Sequence, residues 1–590
     1  MSTSEVSPPQ IRPRWIIREP DPTAEETLAR EALLPRLIAG LLVARGIRTA
    51  AEAARFLNPS LDGLHDPYLM LGMAAAVERI QRAVADGETI LIYGDYDVDG
   101  TTAVVLLKTA IERLGGTVRF HVPHRLREGY GMQREILETA AREGVRLVIS
   151  VDTGIRAFAA AEAAAELGLD LIVTDHHLPE SGLGLPKALA ILNPNQTGCG
   201  YPCKHLCGAG VAFKLSQALL EVQDRNLART KLLPSFLKLL AIATVADAVP
   251  LLGENRIFVA IGIKELERPR HSGLRALMQV AQIDPAQRAL TPIDIGFRLA
   301  PRINAAGRMD IASEVVELFT TKDPQRAQSI AQKLEQLNQE RRNTEAAGLG
   351  EILAMLDQER FRDSRCLVID GDGWHRGVIG ILASRVVDRT GKPTLVLAHE
   401  DGEAYGSGRS IPAFHLLNAI ESCHELFTRF GGHAHAAGFS LPSDRVPELR
   451  KRLAAYAEAN LSDADLGSPL ICDAELALQE VNEELYSWLC KLEPCGMDNE
   501  EPVFIAGSVR VAYPPRVMKE KHIRLQLAAG KNGTVLGAVG WNMAERVSAL
   551  ELQQDSRIDL AYKIRRNDHP DFGGIELEII DMRPAENPGS

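Results

Sequence analysis

The sequence lacks an apolar run long enough to cross a membrane, and it lacks an excess of positive charge. Its 590 residues carry a formal net charge of −12, which argues against a protein that binds nucleic acid over a generally basic surface. Any nucleic-acid contact would depend on local arginine and lysine clusters or on bound metal. The N-terminal residues contain no apolar signal segment. We therefore expect a soluble, cytoplasmic protein that makes no membrane contact.

Regular cysteine spacing is also absent. The eight cysteines show no paired pattern, which suits a reducing compartment. Cys199, Cys203, His205 and Cys207 resemble a zinc cluster at first sight. Their spacing differs from the Cys-x₂-Cys pairs of common zinc modules, and free cysteine usually behaves as a small buried hydrophobe. We therefore expect no zinc site.

Four short segments in the first half of the chain carry side chains that commonly ligate metals. These side chains are Asp95, Asp97, Asp99, Asp152, Asp175, His176, His177 and Asp247. Three of the segments follow apolar runs typical of β-strands, and the carboxyl ends of parallel strands meet at the ligand-binding edge of a sheet. Carboxylates gathered there would repel one another unless cations neutralised them. The pattern therefore predicts a site for one or two divalent metal ions.

The type of ligand narrows the choice of metal. Six aspartates and two histidines, without a thiolate, favour Mg²⁺ or Mn²⁺ over structural zinc. Two such ions bridged by a carboxylate can hold the attacking and leaving oxygens of a phosphoryl displacement. Asp97 and Asp99 point the same way if their segment is extended, and Gly100 allows the chain to bend sharply behind them.

Each segment taken alone has a simpler explanation. An isolated Asp-x-Asp-x-Asp-Gly is as compatible with a polar turn or a calcium loop as with a catalytic site. This one lacks the downstream glutamate of a calcium loop. A single histidine pair after a strand is usually structural. The four segments together are far more specific.

The same segments resemble the four motifs of the DHH phosphoesterase superfamily. The motifs are at residues 95–100, 151–154, 175–177 and 246–248, and residues 431–438 resemble the signature of its accessory domain, DHHA1. Further matches at residues 121–131, 208–214 and 301–308 narrow the resemblance to the single-strand-specific DNA exonucleases of this superfamily. The resemblance extends from about residue 70 to the C-terminus.

The periodicity and the resemblance together predict an α/β protein with several domains. Alternating strands and amphipathic helices indicate a parallel-sheet DHH domain joined by a long helix to a smaller α/β DHHA1 domain. We expect a helical segment packed on the catalytic domain at 1–70, the DHH domain at 71–320, the connecting helix at 321–358, the DHHA1 substrate-binding domain at 359–462 and a single-strand-binding domain at 463–590.

The C-terminal domain is expected to be a small β-barrel of the OB-fold type. Ile523, Leu525 and Leu527 alternate with polar residues, and Asn532-Gly533 is a hairpin-turn dipeptide. OB-folds are common binders of single strands. The resemblance strengthens this assignment, because the superfamily members concerned carry an OB domain here.

Candidate phosphate-binding side chains lie outside the metal segments. Arginine binds phosphate oxygens through paired hydrogen bonds, and a protein of net negative charge needs several such residues in its cleft. The candidates are Arg125, Arg302, Asn304, Arg308, Ser407, Arg409, Ser410, Gly432, His433 and His435. Taken alone, residues 407–410 favour a polar loop, and the glycine-lined histidines are equally compatible with a structural turn. The resemblance implies that both segments bind substrate across a cleft from the metals.

The metal segments predict phosphodiester hydrolysis assisted by two ions. We expect Asp97, Asp99, Asp152, His176 and Asp247 to be direct ligands, with Asp152 as the bridge. Asp95 and His177 are expected either to ligate or to lie beside the scissile phosphate. Asp175 is expected to orient a histidine or to cap the following turn.

The resemblance adds polarity and substrate to this chemistry. It implies stepwise release of mononucleotides from the 5′ end of single-stranded DNA, in DNA repair and recombination. The expected partners are single-stranded DNA and, as candidates, a single-strand-binding protein and a helicase. We expect a monomer.

Two alternatives belong to the same superfamily. One is a phosphoesterase that acts on small substrates such as oligoribonucleotides, cyclic dinucleotides or adenosine bisphosphate, but such chains usually lack an appended barrel. The other is a non-catalytic scaffold, in which metal ligands are lost. All the motif aspartates and histidines are present in this sequence.

Overall fold

The computed structural model describes residues 14–124, 128, 131–180, 182–309, 312–356, 358, 361, 363–467, 469–530, 534–567 and 573–585. The chain divides into two compact units. The larger unit contains Ile17–Asn304, Ile311–Ala331 and Ile471–Ser590, and the smaller unit contains Met1–Ile16, Ala305–Asp310 and Gln332–Leu470. None of the described helices is both long and apolar enough to span a bilayer.

Strands and helices alternate through the first half of the chain, and strands dominate its C-terminal part. The strands are β1 Trp15–Ile17, β2 Thr89–Tyr93, β3 Thr117–His121, β4 Leu147–Val151, β5 Asp170–Thr174, β6 Ala190–Leu192, β7 Leu367–Asp372, β8 Thr394–Glu400, β9 Glu403–Arg409, β10 Arg429–Gly432, β11 Ala436–Pro442, β12 Leu470–Cys472, β13 Ala474–Glu475, β14 Phe504–Arg510, β15 Arg516–Met518, β16 His522–Ala528, β17 Val535–Gly540, β18 Arg557–Asn567 and β19 Gly574–Pro584.

The helices vary from single turns to one helix of 33 residues. They are α1 Pro22–Ala32, α2 Arg36–Val43, α3 Ala50–Leu57, α4 Met73–Ala85, α5 Val98–Arg113, α6 Arg134–Arg142, α7 Phe158–Glu166, α8 Gly208–Leu227, α9 Leu233–Ala246, α10 Gly253–Leu266, α11 Ser272–Val280, α12 Pro292–Asp294, α13 Ala300–Met309, α14 Ser313–Leu318, α15 Pro324–Leu356, α16 Ile379–Thr390, α17 Leu416–Glu421, α18 Val446–Asn460, α19 Glu483–Cys490 and α20 Ala544–Ala549.

A parallel sheet of five strands forms the centre of the larger unit. Its order is β3-β2-β4-β5-β6, and every neighbouring pair is parallel. The apolar runs expected before the metal segments lie in β2, β4 and β5, and β4 is buried along its whole length. The chain leaves β2 toward β3 on one side and continues through β4 on the other. Sheets of this order bind ligands at the carboxyl edge, where the strand order reverses between β2 and β4.

The N-terminal helices α1 to α3 share a hydrophobic cluster with the C-terminal strands. Leu28, Ile38 and Leu42 are fully buried in this cluster together with Leu525 and Leu560. In α2 the apolar residues cover most of the helix surface, so the helix must be covered on more than one side. These helices, which we expected on the catalytic domain, therefore form part of one core with the C-terminal sheet.

A mixed sheet of five strands forms the smaller unit, in the order β10-β11-β9-β8-β7. The pair β7–β8 is parallel, whereas β8–β9, β9–β11 and β10–β11 are antiparallel. Apolar clusters cover both of its faces, one of them including α16 and the other α18. The long helix expected at 321–358 is present as α15.

The C-terminal strands form a sheet of seven, in the order β13-β14-β18-β19-β17-β16-β15. A bridge between Val511 and Leu527 links the chain after β14 to β16, so the sheet curls back toward its own edge. Ile523, Leu525 and Leu527 are fully buried, as their alternation predicted. The dipeptide Asn532-Gly533 lies outside the described residues.

Arg256 in α10 ties three parts of the larger unit together. Its guanidinium donates five hydrogen bonds to carbonyls, one of Phe56 and the others of residues 491–494, at 2.7–3.3 Å. It also stacks on the Phe56 ring at 3.8 Å. Burial lowers the pKa of Arg256 to about 10, so the group remains charged at neutral pH. The buried charge is stabilised by the carbonyl oxygens that accept its hydrogen bonds.

We expect Arg256→Met to lower the free energy of unfolding by about 3 kcal/mol or more, because several buried carbonyls lose their donor at once. Urea unfolding followed by circular dichroism measures this loss. Arg268→Met, an exposed arginine just beyond the same helix, is the matched control and should change stability little. Equal losses in the two variants would contradict the role of Arg256.

Candidate metal centre

The eight predicted metal-type side chains meet at the carboxyl edge of the parallel sheet. Asp95, Asp97 and Asp99 follow β2, Asp152 follows β4, and the residues 175–177 follow β5. Asp247 arrives from another direction, as the first residue after α9. Parallel strands bring their ends to one edge, and this explains why residues so distant in sequence become neighbours.

Asp97 and Asp99 lie at the start of a helix and not along an extended segment, so this part of the prediction was wrong. Asp97 is the N-cap of α5 and accepts a hydrogen bond from the Gly100 amide at 3.0 Å. Aspartate is a strong N-cap residue and begins the helix immediately after the strand. Gly100 has no positive φ; a Cβ there would lie 2.7 Å from the backbone of Asp95. Its role is close packing and not a bend.

Backbone amides of α8 hold Asp99. Its carboxylate accepts from the amides of Gly208 at 2.5 Å and Ala209 at 2.8 Å. The first amides of a helix have no partner within the helix and carry partial positive charge, so they stabilise an ionised carboxylate. Asp99 therefore has a fixed position in a buried setting.

Asp152 is the most crowded of the carboxylates. It is buried, with a φ of 59°, and its Oδ1 has no hydrogen-bond partner among the described residues. The Nε2 atom of His176 lies 3.3 Å from this oxygen, without the alignment of a hydrogen bond. Burial, and after it Asp99, Asp97 and other carboxylates, raise the pKa of Asp152 well above its usual range.

Asp175 fixes the position of the histidine pair through hydrogen bonds. It is fully buried and accepts from the amides of His176 and His177 and from the Nδ1 atom of His177 at 2.7 Å. Its second oxygen accepts from the Ile155 amide at 2.9 Å. Burial alone would raise the pKa of Asp175, but the hydrogen bond from His177 and the nearby positive charge lower it.

The two histidines differ in their surroundings. Burial lowers the pKa of His176 despite the neighbouring carboxylate of Asp99, which favours the neutral imidazole that a metal requires. Burial would lower the pKa of His177 as well, but its bond to Asp175 raises it. The backbone carbonyls of this pair accept from the side chains of Asn195 and Asn193, both at 2.8 Å.

Ligand atoms in this edge form three overlapping groups in which all atoms lie within 4.8 Å of one another. The groups are Asp95, Asp97 and Asp152; Asp99, His176 and Asp247; and Asp152, His176 and His177.

The donor set fits divalent cations. Asp152 Oδ1 and Asp247 Oδ2 are both buried without a hydrogen-bond partner among the described residues. Burial, and after it Asp99 and Asp97, raise the pKa of Asp247 to about 9. A cation bound among these oxygens would offset the cost of burying them without a hydrogen-bond donor. It would also offset the repulsion between the carboxylates.

Sequence reasoning missed the residues that hold these ligands. A Cβ on Gly208 would lie 2.4 Å from Asp152 Oδ1, so only glycine leaves room for that carboxylate. Asn193 and Asn195 were also not foreseen. The glycine-rich start of α8 was the one available signal, and we noted it without assigning a role to it.

The substrate-binding candidates of the larger unit differ in the groups that they contact. Asn304 accepts from the Val98 amide at 3.2 Å and thus supports the start of α5 beside Asp97. Arg302 donates to the backbone carbonyl of Arg298 at 2.5 Å. Arg125 lies outside the described residues.

The remaining candidates lie in the smaller unit. Arg409 and Ser407 lie in the last part of β9, which pairs with β11. Gly432 ends β10, and His433 and His435 lie in the turn between β10 and β11. The Arg409 Nη1 atom donates to Ser407 Oγ at 3.2 Å. Ser410 Oγ donates to the carbonyl of Phe414, and its amide donates to that of His435. Arg308 donates to the carbonyl of Gly377 at 2.8 Å.

Comparison with known families accounts for most of the chain. Family models match at residues 89–244 (DHH family, N-terminal domain), 363–459 (DHHA1 domain) and 472–581 (RecJ OB domain). The single-stranded-DNA-specific exonuclease RecJ of Dickeya dadantii is 38% identical over 582 residues, which cover 95% of this chain and 98% of that protein. The chain belongs to the RecJ family.

Further RecJ comparisons agree. The RecJ of Bacillus subtilis is 37% identical over 577 residues, covering 97% of this chain and 71% of that protein. The crystal structure of Thermus thermophilus RecJ in complex with Mn²⁺ matches with a TM-score of 0.82 at 28% identity, covering 97% of this chain and 80% of that one. The corresponding Mg²⁺ complex matches with a TM-score of 0.76 at 26% identity, covering 97% and 79%. The expected fold class and the expected Mn²⁺ or Mg²⁺ cofactor are confirmed.

We expect Gly208→Ala to weaken Mn²⁺ binding by about tenfold or more, the range for changes behind metal ligands, because the added methyl group displaces Asp152. Isothermal titration of metal-stripped protein measures the affinity. Gly210→Ala is the matched control in the same helix, where the nearest atom to a Cβ is 3.3 Å away. If both variants bind Mn²⁺ like wild type, the crowding around Asp152 has no functional role.

Proposed function

We propose that this RecJ-family exonuclease degrades single-stranded DNA from the 5′ end and releases mononucleotides with the help of two metal ions. The observation that carries the two-ion proposal is the sharing of ligands between groups. Asp152 belongs to the group with Asp95 and Asp97 and also to the group with the histidines, while His176 belongs to the group of Asp99 and Asp247. Ligand groups that share members suit two adjacent ions bridged by a carboxylate.

In this proposal, different residues bind the metal ions, orient the ligands and contact the phosphate. When bound, Mn²⁺ or Mg²⁺ supplies activation of water and stabilisation of charge on the scissile phosphate. Asp97, Asp99, Asp152, His176 and Asp247 hold the ions. Asp175 and the amides of α8 fix the orientation of these ligands, which limits reorganisation during the reaction. Asp95 and His177 each belong to one of the three ligand groups, where they complete the coordination or contact the phosphate.

Labelled DNA tests the function directly. Wild-type protein with Mn²⁺ should release labelled mononucleotide first from 5′-labelled single strands and last from 3′-labelled single strands, and should leave duplex DNA intact. Asp152→Ala should lower turnover by several orders of magnitude, because the shared ligand is lost. Its thermal stability without metal should stay the same or rise, since one of several repelling carboxylates is removed.

Asp86→Ala, an exposed aspartate of the same unit, is the control and should behave like wild type in turnover and stability. Near-normal Mn²⁺-dependent activity of Asp152→Ala would reject the two-ion arrangement. Early release from the 3′ end by wild type would reject the polarity.

Both alternative functions are less well supported. A phosphoesterase for small substrates does not need a domain of the RecJ OB type, which matches residues 472–581. A non-catalytic scaffold does not need its metal ligands, yet all three ligand groups are intact.

A cluster of cationic and hydrogen-bonding groups in the smaller unit is our candidate for recognition of the 5′ end. A Cβ on Gly380 would lie 2.9 Å from Ser407 Oγ and 3.2 Å from Arg409 Nη2, so both side chains lie beside the start of α16. The rings of His433 and His435 lie close together, with centroids 6.3 Å apart. Burial, and after it the charges of His435 and Arg409, lower the pKa of His433. A helix start, an arginine and a hydroxyl together suit a phosphate monoester, which carries more charge than an internal diester.

We expect Arg409→Ala to remove most of the preference for 5′-phosphorylated over 5′-hydroxyl single strands, by about 1.5–3 kcal/mol, the range for hydrogen bonds to charged groups. Degradation rates of the two substrates by wild type and variant give this difference. Arg389→Ala, an exposed arginine at the far end of α16, should keep the preference. If Arg409→Ala slows both substrates equally, the residue is a general backbone contact.

Other assignments remain part of the same proposal. They are the domain boundaries given above, the role of Arg302, Arg308, Ser410 and His435 in substrate binding, a monomeric state, a role in repair and recombination, and cooperation with a single-strand-binding protein and a helicase.

A further inference from the structure

Two loops of the larger unit supply the positions of two metal ligands, Asp99 and Asp247. The first loop is residues 203–207, which leads directly into the α8 amides that hold Asp99. The second loop is residues 247–252, which begins with Asp247 and contains Ala248 at a φ of 55°.

One buried side chain joins these two loops. The Asn255 Nδ2 atom donates to the carbonyl of His205 at 2.6 Å and to the carbonyl of Pro250 at 3.0 Å. Asn255 is 1% exposed, and its Oδ1 has no hydrogen-bond partner among the described residues. Only the donor half of this amide is used, so its contribution lies in the two bonds to the loops.

The position of Asn255 is itself rigid. Its neighbour Glu254 accepts from Lys214 Nζ at 2.9 Å, from the Tyr201 hydroxyl at 2.5 Å and from the His65 amide at 3.0 Å. Glu254 and Lys214 are both fully buried side chains. Because partners in other segments hold the start of α10 on several sides, the Nδ2 atom is a fixed point for both loops.

We propose that Asn255 is a positioning residue for the metal centre, which sets the spacing between Asp99, held by the helix start that follows the first loop, and Asp247 in the second loop. The inference rests on the two-ion part of the proposed function. Within the described part of the chain, the side-chain hydrogen bonds of Asn255 go to the two loop carbonyls and not to a ligand atom, so it acts through those carbonyls. Loss of its donor would leave each loop free to move relative to the other, and the group of Asp99, His176 and Asp247 would lose its geometry.

Mn²⁺ binding to the metal-stripped full-length protein tests this inference without any nuclease assay. The signal of free Mn²⁺ in electron paramagnetic resonance gives the affinity. Asn255→Leu keeps the shape but removes the donor, and it should weaken binding at one or more sites by about tenfold or more. Asn255→Ser retains a hydroxyl that reaches at most one carbonyl, and it should lie between wild type and the leucine variant.

Asn499→Leu is the matched control for general loss of stability. Asn499 is also fully buried, and its Nδ2 atom also donates to two carbonyls, those of Leu492 and Pro494, both at 2.9 Å. The melting temperatures of the two leucine variants should fall by similar amounts, but Asn499→Leu should bind Mn²⁺ within about twofold of wild type.

Two results would overturn the inference. One is wild-type Mn²⁺ affinity in Asn255→Leu or, if that variant does not fold, in Asn255→Ser. The other is equal weakening in Asn499→Leu, which would mean that any loss of packing has this effect. Failure of the proposed function is a separate outcome, because it would show as normal Mn²⁺ binding by wild type without exonuclease activity.

Discussion

Electrostatic repulsion among buried carboxylates is the constraint on which the rest of this structure depends. Asp95, Asp99 and Asp152 are nearly inaccessible to water and lie close together. The amides of α8 and the two histidines offset part of the repulsion, whereas one oxygen each of Asp152 and Asp247 has no hydrogen-bond donor among the described residues. Because the fold compensates this repulsion only in part, a bound cation would add further stabilisation to the folded protein.

The segments around this edge serve to keep the ligands from relaxing apart. The three strand ends and the end of α9 that carry the ligands would separate under repulsion if their loops were flexible, because exposed loops offer few fixed contacts. Here the loops are held by the buried side chains of Asn193 and Asn255 and the partly buried side chain of Asn195, which donate to backbone carbonyls. Each bond contributes about 1 kcal/mol to stability, but its effect on geometry is what the metal centre needs.

The C-terminal part of the larger unit shares buried contacts with the rest of that unit. Arg256 and Arg45 both donate to carbonyls or amides in the segment 491–500 that precedes the C-terminal sheet, and α1 to α3 share their core with that sheet. Deletion of the C-terminal residues would expose this core, so point substitutions separate DNA binding from folding better than truncation does.

The sequence by itself determined the eight ligand candidates and the parallel sheet that carries them, because apolar strand runs followed by aspartates are local patterns. It also indicated the alternation in β16 and the long helix α15. Local reasoning was wrong at Asp97, where an N-cap begins a helix at once, and it gave no role to Gly208 or Asn255. Those roles depend on contacts between different segments. A Cβ at position 208 would lie 2.4 Å from the Asp152 carboxylate, and the Asn255 amide reaches the carbonyls of two loops. Only tertiary packing decides such distances, since it brings Gly208 beside Asp152 and His205 beside Asn255, and no period or spacing along the chain records them.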